Sequence, residues 1–254
     1  MNFYNKTALI SGAASGMGLL FSENFVRLGG NAVMCDVNKE ELGKRAADIN
    51  SEKNGKALPV ICDVRDYNSV CAARDAAITE FGRIDIVVNF AGGASTRVLN
   101  VDSNKYPEFP DIPIEVFQWG LDVNLMGPFY FAHAVLGQMR KQKSGLVVNI
   151  GSVSGAEGNE YCMDYATAKA GLMYGLTKSI AQFGAPHNIR CVCVSPGPVL
   201  TRAAMANMKT LLGRAAEPQE IIDLILFIAS EKGQFINGEN IMIDGGRNAM
   251  GRWR

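Results

Sequence analysis

Seven short apolar runs recur along this chain, and helix-length segments separate most of them. The runs are rich in β-branched residues and almost continuously apolar, which is typical of strands buried on both faces of a sheet. Strands that alternate with helices favour right-handed crossovers, so the pattern predicts a doubly wound α/β fold whose seven-stranded sheet is mostly or wholly parallel. The predicted strands are Thr7–Ser11, Ala32–Asp36, Ala57–Cys62, Ile84–Asn89, Leu146–Ile150, Ile189–Ser195 and Asn240–Ile243.

The length of 254 residues suits one domain of this class. No repeat, low-complexity tract or Pro/Ser-rich linker divides the chain, so we expect a single Rossmann-like domain over residues 1–254. Basic and acidic residues number 25 each, which leaves no net field to attract nucleic acid or an anionic membrane. Without a signal peptide, a membrane-length apolar stretch or a C-x-x-C motif, we expect a cytoplasmic protein with reduced thiols.

A glycine-rich loop follows the first predicted strand directly. Gly12, Gly16 and Gly18 are spaced as G-x-x-x-G-x-G where the strand passes into a helix. Glycine allows a sharp turn and close backbone approach, and the amide groups at a helix N-terminus attract a pyrophosphate. A tight turn that binds nothing has the same pattern, so the motif gains meaning only from its context.

That context is an acidic residue at the end of the second predicted strand. Asp36 is placed to accept hydrogen bonds from the ribose of a bound adenosine and to repel a 2′-phosphate. The loop offers no Arg or Lys for such a phosphate, and Lys39 is the nearest cation. The sequence therefore predicts NAD rather than NADP, although a solvated strand-end carboxylate is the alternative interpretation of Asp36.

Further along the chain, a set of three residues suits acid–base chemistry. Ser152 lies at the carboxyl end of the fifth predicted strand, and Tyr165 and Lys169 are spaced to stack one helical turn apart. A phenol with its ordinary pKa of about 10 is a poor acid or base at neutral pH, but a nearby ammonium stabilises the phenolate and lowers that pKa. A serine hydroxyl at the same substrate oxygen would orient it, so the set favours carbonyl–alcohol interconversion. An exposed amphipathic Tyr–Lys pair is the alternative for the two helical residues taken alone.

The combined motifs resemble those of the short-chain dehydrogenase/reductase family over nearly the whole chain, from Lys6 to Gly246. The glycine signature, which usually begins with Thr, is present here as Ser11–Gly18, and Asp63-Val64 is similar to the family's adenine-contacting pair. The family's Asn-Asn-Ala-Gly element reads Asn89–Gly92, with Phe90 in place of its second Asn. That departure removes a residue that stabilises the central sheet in the family.

The resemblance also assigns roles further along the chain. It implies that Asn124 helps to order a water that leads protons from the active-site lysine, and that Lys169 also binds the nicotinamide ribose. The stretch Pro196–Thr201 is similar to the family's contact with the nicotinamide and its phosphate, and Asp244–Gly246 also fits. The expected catalytic residues are Asn124, Ser152, Tyr165 and Lys169. The expected cofactor contacts are Gly12, Ser15, Gly16, Met17, Gly18, Asp36, Asp63, Val64, Asn89, Ala91, Gly92, Tyr165, Lys169, Pro196, Gly197, Val199 and Thr201.

The resemblance implies an NAD(H)-dependent oxidoreductase that interconverts a small-molecule secondary alcohol and a ketone. It also implies a homotetramer built through the helices that carry Asn124 and Tyr165. The irregular connection from Gly93 to Pro113 and the segment after Thr201 leave the carboxyl ends of strands, so we expect them to form the substrate walls. Candidate wall residues are Ala94, Ser95, Thr96, Val153, Glu157, Asn159, Met163, Met205 and Met208, which do not identify one substrate. The basic tail Arg247–Arg254, with Trp253, is expected either at a subunit contact or in solvent.

Other functions remain open at this stage. A Ser-His-Asp hydrolase is disfavoured because neither His133, expected to be packed, nor His187 lies beside a nucleophile-elbow motif. No His/Cys/Asp cluster has metal-ligand spacing, and Cys191 and Cys193 are expected to pack. A non-catalytic NAD-binding regulator would keep the glycine loop but has no need of the Ser-Tyr-Lys set. Epimerases and dehydratases that use the same Tyr and Lys usually carry an extra carboxyl-terminal domain.

Overall fold

Seven strands form one sheet in a computed structural model, which describes residues 1–51, 54–95, 98, 107–201 and 203–250. Each predicted strand is present, and its ends differ from the prediction by no more than two residues. The strands are β1 (Thr7–Ser11), β2 (Asn31–Asp36), β3 (Lys56–Ile61), β4 (Ile86–Asn89), β5 (Gly145–Ile150), β6 (Ile189–Pro196) and β7 (Asn240–Ile243).

The strand order is β3-β2-β1-β4-β5-β6-β7, and every neighbouring pair is parallel. The chain winds outward from β1 to β3, then returns and winds the other way from β4 to β7. The predicted doubly wound parallel fold is therefore confirmed. Because the winding direction changes between β1 and β4, a crevice opens there at the carboxyl ends of the strands.

Helices cover both faces of the sheet. In chain order they are α1 (Gly16–Arg27), α2 (Lys39–Asn50), α3 (Tyr67–Phe81), α4 (Ile114–Leu121), α5 (Gly127–Gln142), α6 (Ser154–Glu157), α7 (Met163–Ala170), α8 (Thr177–Gly184) and α9 (Pro218–Ala229). A π-helical turn, Asp122–Met126, joins α4 to α5, and a second, Gly171–Leu176, joins α7 to α8. Shorter 3₁₀ turns occupy Phe109–Asp111, Ala185–His187, Ala203–Asn207, Glu231–Gly233 and Arg247–Ala249. Among the described helices, none is both long and apolar enough to cross a bilayer.

Two apolar cores hold these layers together. On one face of the sheet, α1 and α9 bury Phe21, Phe25 and Ile225 completely. On the other face, α3 and α5 bury Val70 and Phe131 completely. Each core contains residues from the sheet, which explains why the strands are apolar on both faces.

A chain of buried polar groups crosses the centre of the sheet beneath the crevice. The Asn89 amide donates to Asn149 Oδ1 (2.9 Å), and the Asn149 amide donates to Thr177 Oγ1 (3.0 Å). Thr177 in turn donates to the Leu172 carbonyl oxygen (2.7 Å). Strands β4 and β5 are thereby tied to α8, while the ring of Phe90, which replaces the family's second Asn, lies 5.8 Å from the ring of Phe21.

The cysteines are free thiols, and four of them are buried. Burial raises the pKa of Cys193 to about 11 and also raises that of Cys191. Both side chains therefore act as packed neutral groups, as expected. His133 differs from its expectation: it is exposed on α5, where its Nδ1 lies 2.6 Å from the Tyr67 hydroxyl and its ring stacks on Phe129.

Some sequence predictions fall outside the described residues. These are the candidate wall residue Thr96, the parts 96–97 and 99–106 of the connection from 93 to 113, and the tail residues 251–254 with Trp253. The end of that connection is described, and there Phe109 contacts Phe117 edge to face at 5.2 Å.

We expect the buried polar chain to be a large contribution to stability. In Asn149→Ala, the Asn89 amide and the Thr177 hydroxyl each lose a buried partner, which should lower the free energy of unfolding by on the order of 2–4 kcal/mol. Urea denaturation at pH 7 measures the difference. Asn54→Ala, at an exposed position, is the control and should change stability little; equal stability of the two variants would contradict the assignment.

Candidate active site

A cleft of about 760 Å³ lies along the carboxyl ends of β1, β2 and β4. Its position is the crevice where the winding direction of the sheet reverses. Of the predicted cofactor contacts, the cleft wall contains Gly12, Ser15, Gly16, Met17, Gly18, Asp36, Asp63, Val64, Ala91, Gly92 and Thr201. The residues that contribute to the wall without having been predicted are Val37, Cys62, Arg65, Phe90, Val98, Trp119 and Val123.

The glycine loop packs too tightly for side chains at two positions and leaves open space at a third. A Cβ on Gly12, whose φ is +68°, would lie 2.8 Å from the Ala91 backbone nitrogen, and one on Gly18 would overlap the Gly12 carbonyl oxygen. A Cβ on Gly16 would meet nothing within 4 Å, so a cradle is open there at the first turn of α1. The side chain of Ser15 makes no capping bond at this helix end. The loop therefore presents a free hydroxyl and unpaired amides toward the cleft, which suits a phosphate.

Asp36 is held at the rim of the cleft by the loop itself. Its Oδ2 accepts from the backbone amide of Ala14 (3.0 Å), and its Oδ1 accepts from that of Asn38 (3.0 Å). Both bonds fix the direction of the carboxylate while leaving each oxygen a further lone pair for a ligand. The site thus offers a fixed negative charge beside the phosphate cradle.

Asp63 has a partner that the sequence analysis missed. Arg65 donates to both carboxylate oxygens, with Nη2 to Oδ2 at 2.7 Å and Nε to Oδ1 at 3.0 Å. This guanidinium holds the pKa of Asp63 below its ordinary range. The cation in the cleft is therefore Arg65, and not Lys39, and it is engaged by a carboxylate. In the sequence, this ion pair was indicated only by spacing, because Arg65 follows Asp63 by two residues in the loop after β3.

Some predicted cofactor contacts lie behind the cleft wall. Asn89 is buried and bonded to Asn149, as described above, and Val199 is 5% exposed. The carbonyl of Pro196 accepts from the Val153 amide (3.0 Å), and the amide of Gly197 donates to the Ile243 carbonyl (3.0 Å). These four residues frame the site from beneath, whereas Thr201 reaches its surface.

Gly92 is where the cofactor loop meets the predicted catalytic residues. A Cβ there would lie 2.7 Å from Asn124 Oδ1 and 3.4 Å from Lys169 Nζ. Glycine is therefore required by the close approach of two side chains from other elements. Three segments distant in sequence converge on one point at the nicotinamide end of the predicted cofactor path.

Asn124 is fully buried on the π-helical turn before α5. Its amide group donates to the carbonyls of Gly93 (2.9 Å) and Gly120 (2.8 Å), and its Oδ1 accepts from the Gly93 amide (2.9 Å). Asn124 thus fixes the loop after β4 against the helix, and its side-chain hydrogen bonds go to backbone groups.

Lys169 is buried beneath Tyr165. Its Nζ donates to the Ile150 carbonyl (2.7 Å) and lies 5.4 Å from the centroid of the Tyr165 ring. Only 4% of Lys169 is exposed, and this burial lowers its pKa to about 8, with a smaller opposing effect from Cys193. The half-buried Ser152 lies two residues past Ile150, and its Oγ accepts from the Ser154 amide (3.1 Å). The fold therefore brings the four predicted catalytic residues to one end of the sheet.

The candidate wall residues differ in accessibility. Ser95 and Val153 are buried, whereas Met163, Met205 and Met208 are half-buried. Glu157 is engaged by Arg247 (3.0 Å), and Asn159 accepts from the Tyr161 amide (3.0 Å). Within the described ranges, no group of three or more His, Cys, Asp and Glu side chains is placed to hold a metal ion.

Comparison with known proteins yields a consistent set of relatives. A family model described as enoyl-(acyl carrier protein) reductase matches residues 12–248. The chain is 39% identical to trans-4-hydroxycyclohexanecarboxylate dehydrogenase of Sinomonas cyclohexanicum, covering 96% of this chain and 93% of that protein. It is 33% identical to 7alpha-hydroxysteroid dehydrogenase of Bacteroides fragilis, covering 96% and 95%.

A solved structure shares the fold. The crystal structure of a 3-oxoacyl-[acyl-carrier protein] reductase with bound NAD from Brucella melitensis superposes with a TM-score of 0.87 at 28% identity. The superposition covers 96% of this chain and 92% of the other.

The burial of Lys169 predicts a pH-dependent stability. Its pKa falls from 10.5 to about 8 on folding, so between these values the unfolded chain holds a proton that the folded chain has released, and stability rises with pH. From pH 7 to pH 9.5 the folded protein should gain about 2 kcal/mol through this group. Urea unfolding of the natural protein and of Lys169→Met at both pH values isolates the contribution, and parallel changes in the two proteins would contradict it.

Proposed function

This chain belongs to the short-chain dehydrogenase/reductase family, and on that premise we propose that it is an NAD(H)-dependent oxidoreductase that interconverts a secondary alcohol and a ketone. The observation that carries the proposal is the buried ammonium of Lys169 beneath the ring of Tyr165, at the end of a cleft with an open phosphate cradle. A regulator that only bound the nucleotide would need the cradle but not the buried ammonium, whose desolvation is costly. We propose that the single domain both binds the nucleotide and carries the catalytic residues.

The residues at one end of the cleft would bind the nucleotide, and those at the other end would transfer protons and position the substrate. The amides at the start of α1 and the hydroxyl of Ser15 would hold the pyrophosphate, and Asp36 would accept hydrogen bonds from the adenosine ribose. When bound, the nicotinamide supplies the redox chemistry by taking up or delivering a hydride at the substrate carbon. Everything else in the reaction is proton transfer and positioning by this chain.

Tyr165 is the proposed acid–base group. In the oxidative direction its phenolate oxygen accepts the proton of the substrate hydroxyl, and in the reductive direction its phenol returns that proton to the carbonyl oxygen. The Lys169 ammonium stabilises the phenolate, because it is buried and lies 5.4 Å from the centroid of the half-buried Tyr165 ring. The Ser152 hydroxyl hydrogen-bonds the same substrate oxygen, and Asn124 holds the loop against which the site is built.

Three features support NAD rather than NADP. The Asp36 carboxylate is fixed at the rim where a 2′-phosphate would lie, so it would repel that group. Arg65, the cation in the cleft wall, is already paired with Asp63. The superposed reductase from Brucella melitensis was crystallised with NAD.

The substrate class is a cyclic or other hindered secondary alcohol. Two of the relatives reported above are named for hydroxyl groups on carbon rings. The homotetramer stays a prediction from the family. Three large apolar side chains that are 43–49% exposed, Phe129, Tyr174 and Phe183, lie along the helices expected at that contact.

We expect Tyr165→Phe to lower turnover by roughly 10²–10⁴-fold, because it removes the acid–base group and little else. The variant should still bind NADH, since the cradle and Asp36 are intact. Absorbance of NADH at saturating cyclohexanol follows turnover, and fluorescence titration follows binding. Tyr4→Phe, at an exposed residue remote from the cleft, is the control; a natural protein that binds NADH but turns over no alcohol or ketone would favour the regulator instead.

Cofactor choice is tested at Asp36. The natural protein should bind NADH at least tenfold more tightly than NADPH, and Asp36→Asn should reduce the discrimination by about tenfold because the repulsive charge is gone. Isothermal titration with both nucleotides gives the two dissociation constants. Asp48→Asn, on the exposed side of α2, should leave their ratio unchanged, and tighter binding of NADPH by the natural protein would refute the proposal.

A further inference from the structure

A second cavity, of about 560 Å³, opens beside the short helix α6. Ala156, Glu157 and Gly158 form one side of it, and Lys209, Arg247 and Asn248 form another. The cavity therefore lies between the loop that follows Ser152, the segment that follows Thr201 and the turn that follows β7. None of its residues has a role in the chemistry proposed above.

The cavity lies within reach of a small molecule bound at the catalytic residues. Helix α6 begins two residues after Ser152 and packs directly on α7, where a Cβ on Gly155 would lie 2.9 Å from the Ala170 nitrogen and 3.0 Å from the Lys169 carbonyl carbon. From Ser152 to Glu157 a helical path advances about 8 Å, at 1.5 Å per residue. A hydroxyl at Ser152 and a polar group at the cavity can therefore belong to one molecule of about the size of a substituted ring.

The charges around the cavity favour an anion. Arg247 donates to Glu157 Oε2 through Nη2 (3.0 Å) and Nε (3.2 Å), and these two charges offset each other. Arg247 Nη1 also donates to the Lys209 carbonyl (3.3 Å), which places the Lys209 backbone against the pair. Among the ion pairs of the described residues, Lys209 takes no part, so the residues that line the cavity carry one more positive than negative charge.

We propose that this cavity binds the anionic end of the substrate, so that the protein acts on secondary alcohols that also carry a carboxylate. Lys209 pairs with the carboxylate, and Arg247 acts as a positioning residue that neutralises Glu157 and prevents it from repelling the substrate. The inference rests on the proposed function, since it concerns a second group of the same molecule. It makes Lys209 a specificity-determining residue for the reaction.

The experiment compares a charged and a neutral alcohol of the same shape. With NAD⁺ saturating, KM and kcat are measured for 4-hydroxycyclohexanecarboxylate and for its methyl ester. The natural protein should show a lower KM for the acid than for the ester, and the difference should shrink as salt is added, because the charge pair is partly exposed.

Variants at Lys209 separate its charge from its bulk. Lys209→Met should raise KM for the acid about fivefold without changing KM for the ester or kcat for either, as expected for one partly exposed charge pair. Lys209→Arg should restore most of the preference. Lys44→Met, at an exposed lysine on α2, is the matched control and should match the natural protein. A simple solvated lysine would leave both KM values unchanged in Lys209→Met, and that result would overturn the proposal.

A pair of variants tests the role given to Arg247. Arg247→Met leaves Glu157 unpaired and should raise KM for the acid more than Lys209→Met does. The double variant Arg247→Met/Glu157→Gln removes both charges and should recover part of the loss, because repulsion is gone. If the double variant is no better than Arg247→Met alone, Arg247 serves only the packing of the turn and the proposed neutralisation is wrong.

A binding measurement that requires no turnover tests the anion site separately from the proposed enzymatic activity. Cyclohexanecarboxylate, which lacks the hydroxyl, is titrated calorimetrically into the NADH-loaded protein and into Lys209→Met. Weaker binding by the variant supports the anion site even if no alcohol is oxidised, in which case only the proposed function fails. Turnover of neutral alcohols together with equal cyclohexanecarboxylate binding by both proteins would retain the proposed function and refute the anion site.

Discussion

The hydrogen bond from the Lys169 ammonium to the Ile150 carbonyl is the constraint on which the site depends. A charge that is removed from water must find a fixed partner, and here the partner is a backbone group at the end of β5. Because that strand lies inside a seven-stranded parallel sheet, its carbonyl does not move with the surface loops. The same bond fixes the helix that carries Tyr165 relative to Ser152, so the burial of Lys169 and the relative positions of Tyr165 and Ser152 depend on one interaction.

Close backbone packing extends this arrangement to the cofactor side. A Cβ on Gly12 would press on the Ala91 backbone, and one on Gly92 would meet both Asn124 and Lys169, so two glycines allow the loop after β1, the segment after β4 and the helix that carries Lys169 to approach closely. Beneath them, the Asn149 amide connects β4 to α8. Strain or movement in any one of these elements would be transmitted to the others, because close-packed protein interiors have low compressibility.

Most of the fold follows from pattern. Continuous apolar runs between helices require a parallel sheet, since such strands have no polar face to expose, and the seven predicted strands are all present. Local pattern did not predict which neighbours several side chains contact. Arg65 pairs with Asp63, His133 is exposed beside Tyr67, and Asn89 donates to Asn149. The last two contacts join residues that are distant in sequence.

The sequence by itself determined the sheet, the glycine loop, the strand-end acid Asp36 and the helical spacing of Tyr165 and Lys169, because these depend on local periodicity and on neighbours within one helical turn. Only the tertiary structure decided three contacts. The buried Lys169 donates to the Ile150 carbonyl, the Asn124 amide donates to the carbonyls of Gly93 and Gly120, and Arg247 forms an ion pair with Glu157. Desolvation and long-range ion pairing depend on what folding brings together, and no local pattern contains that information.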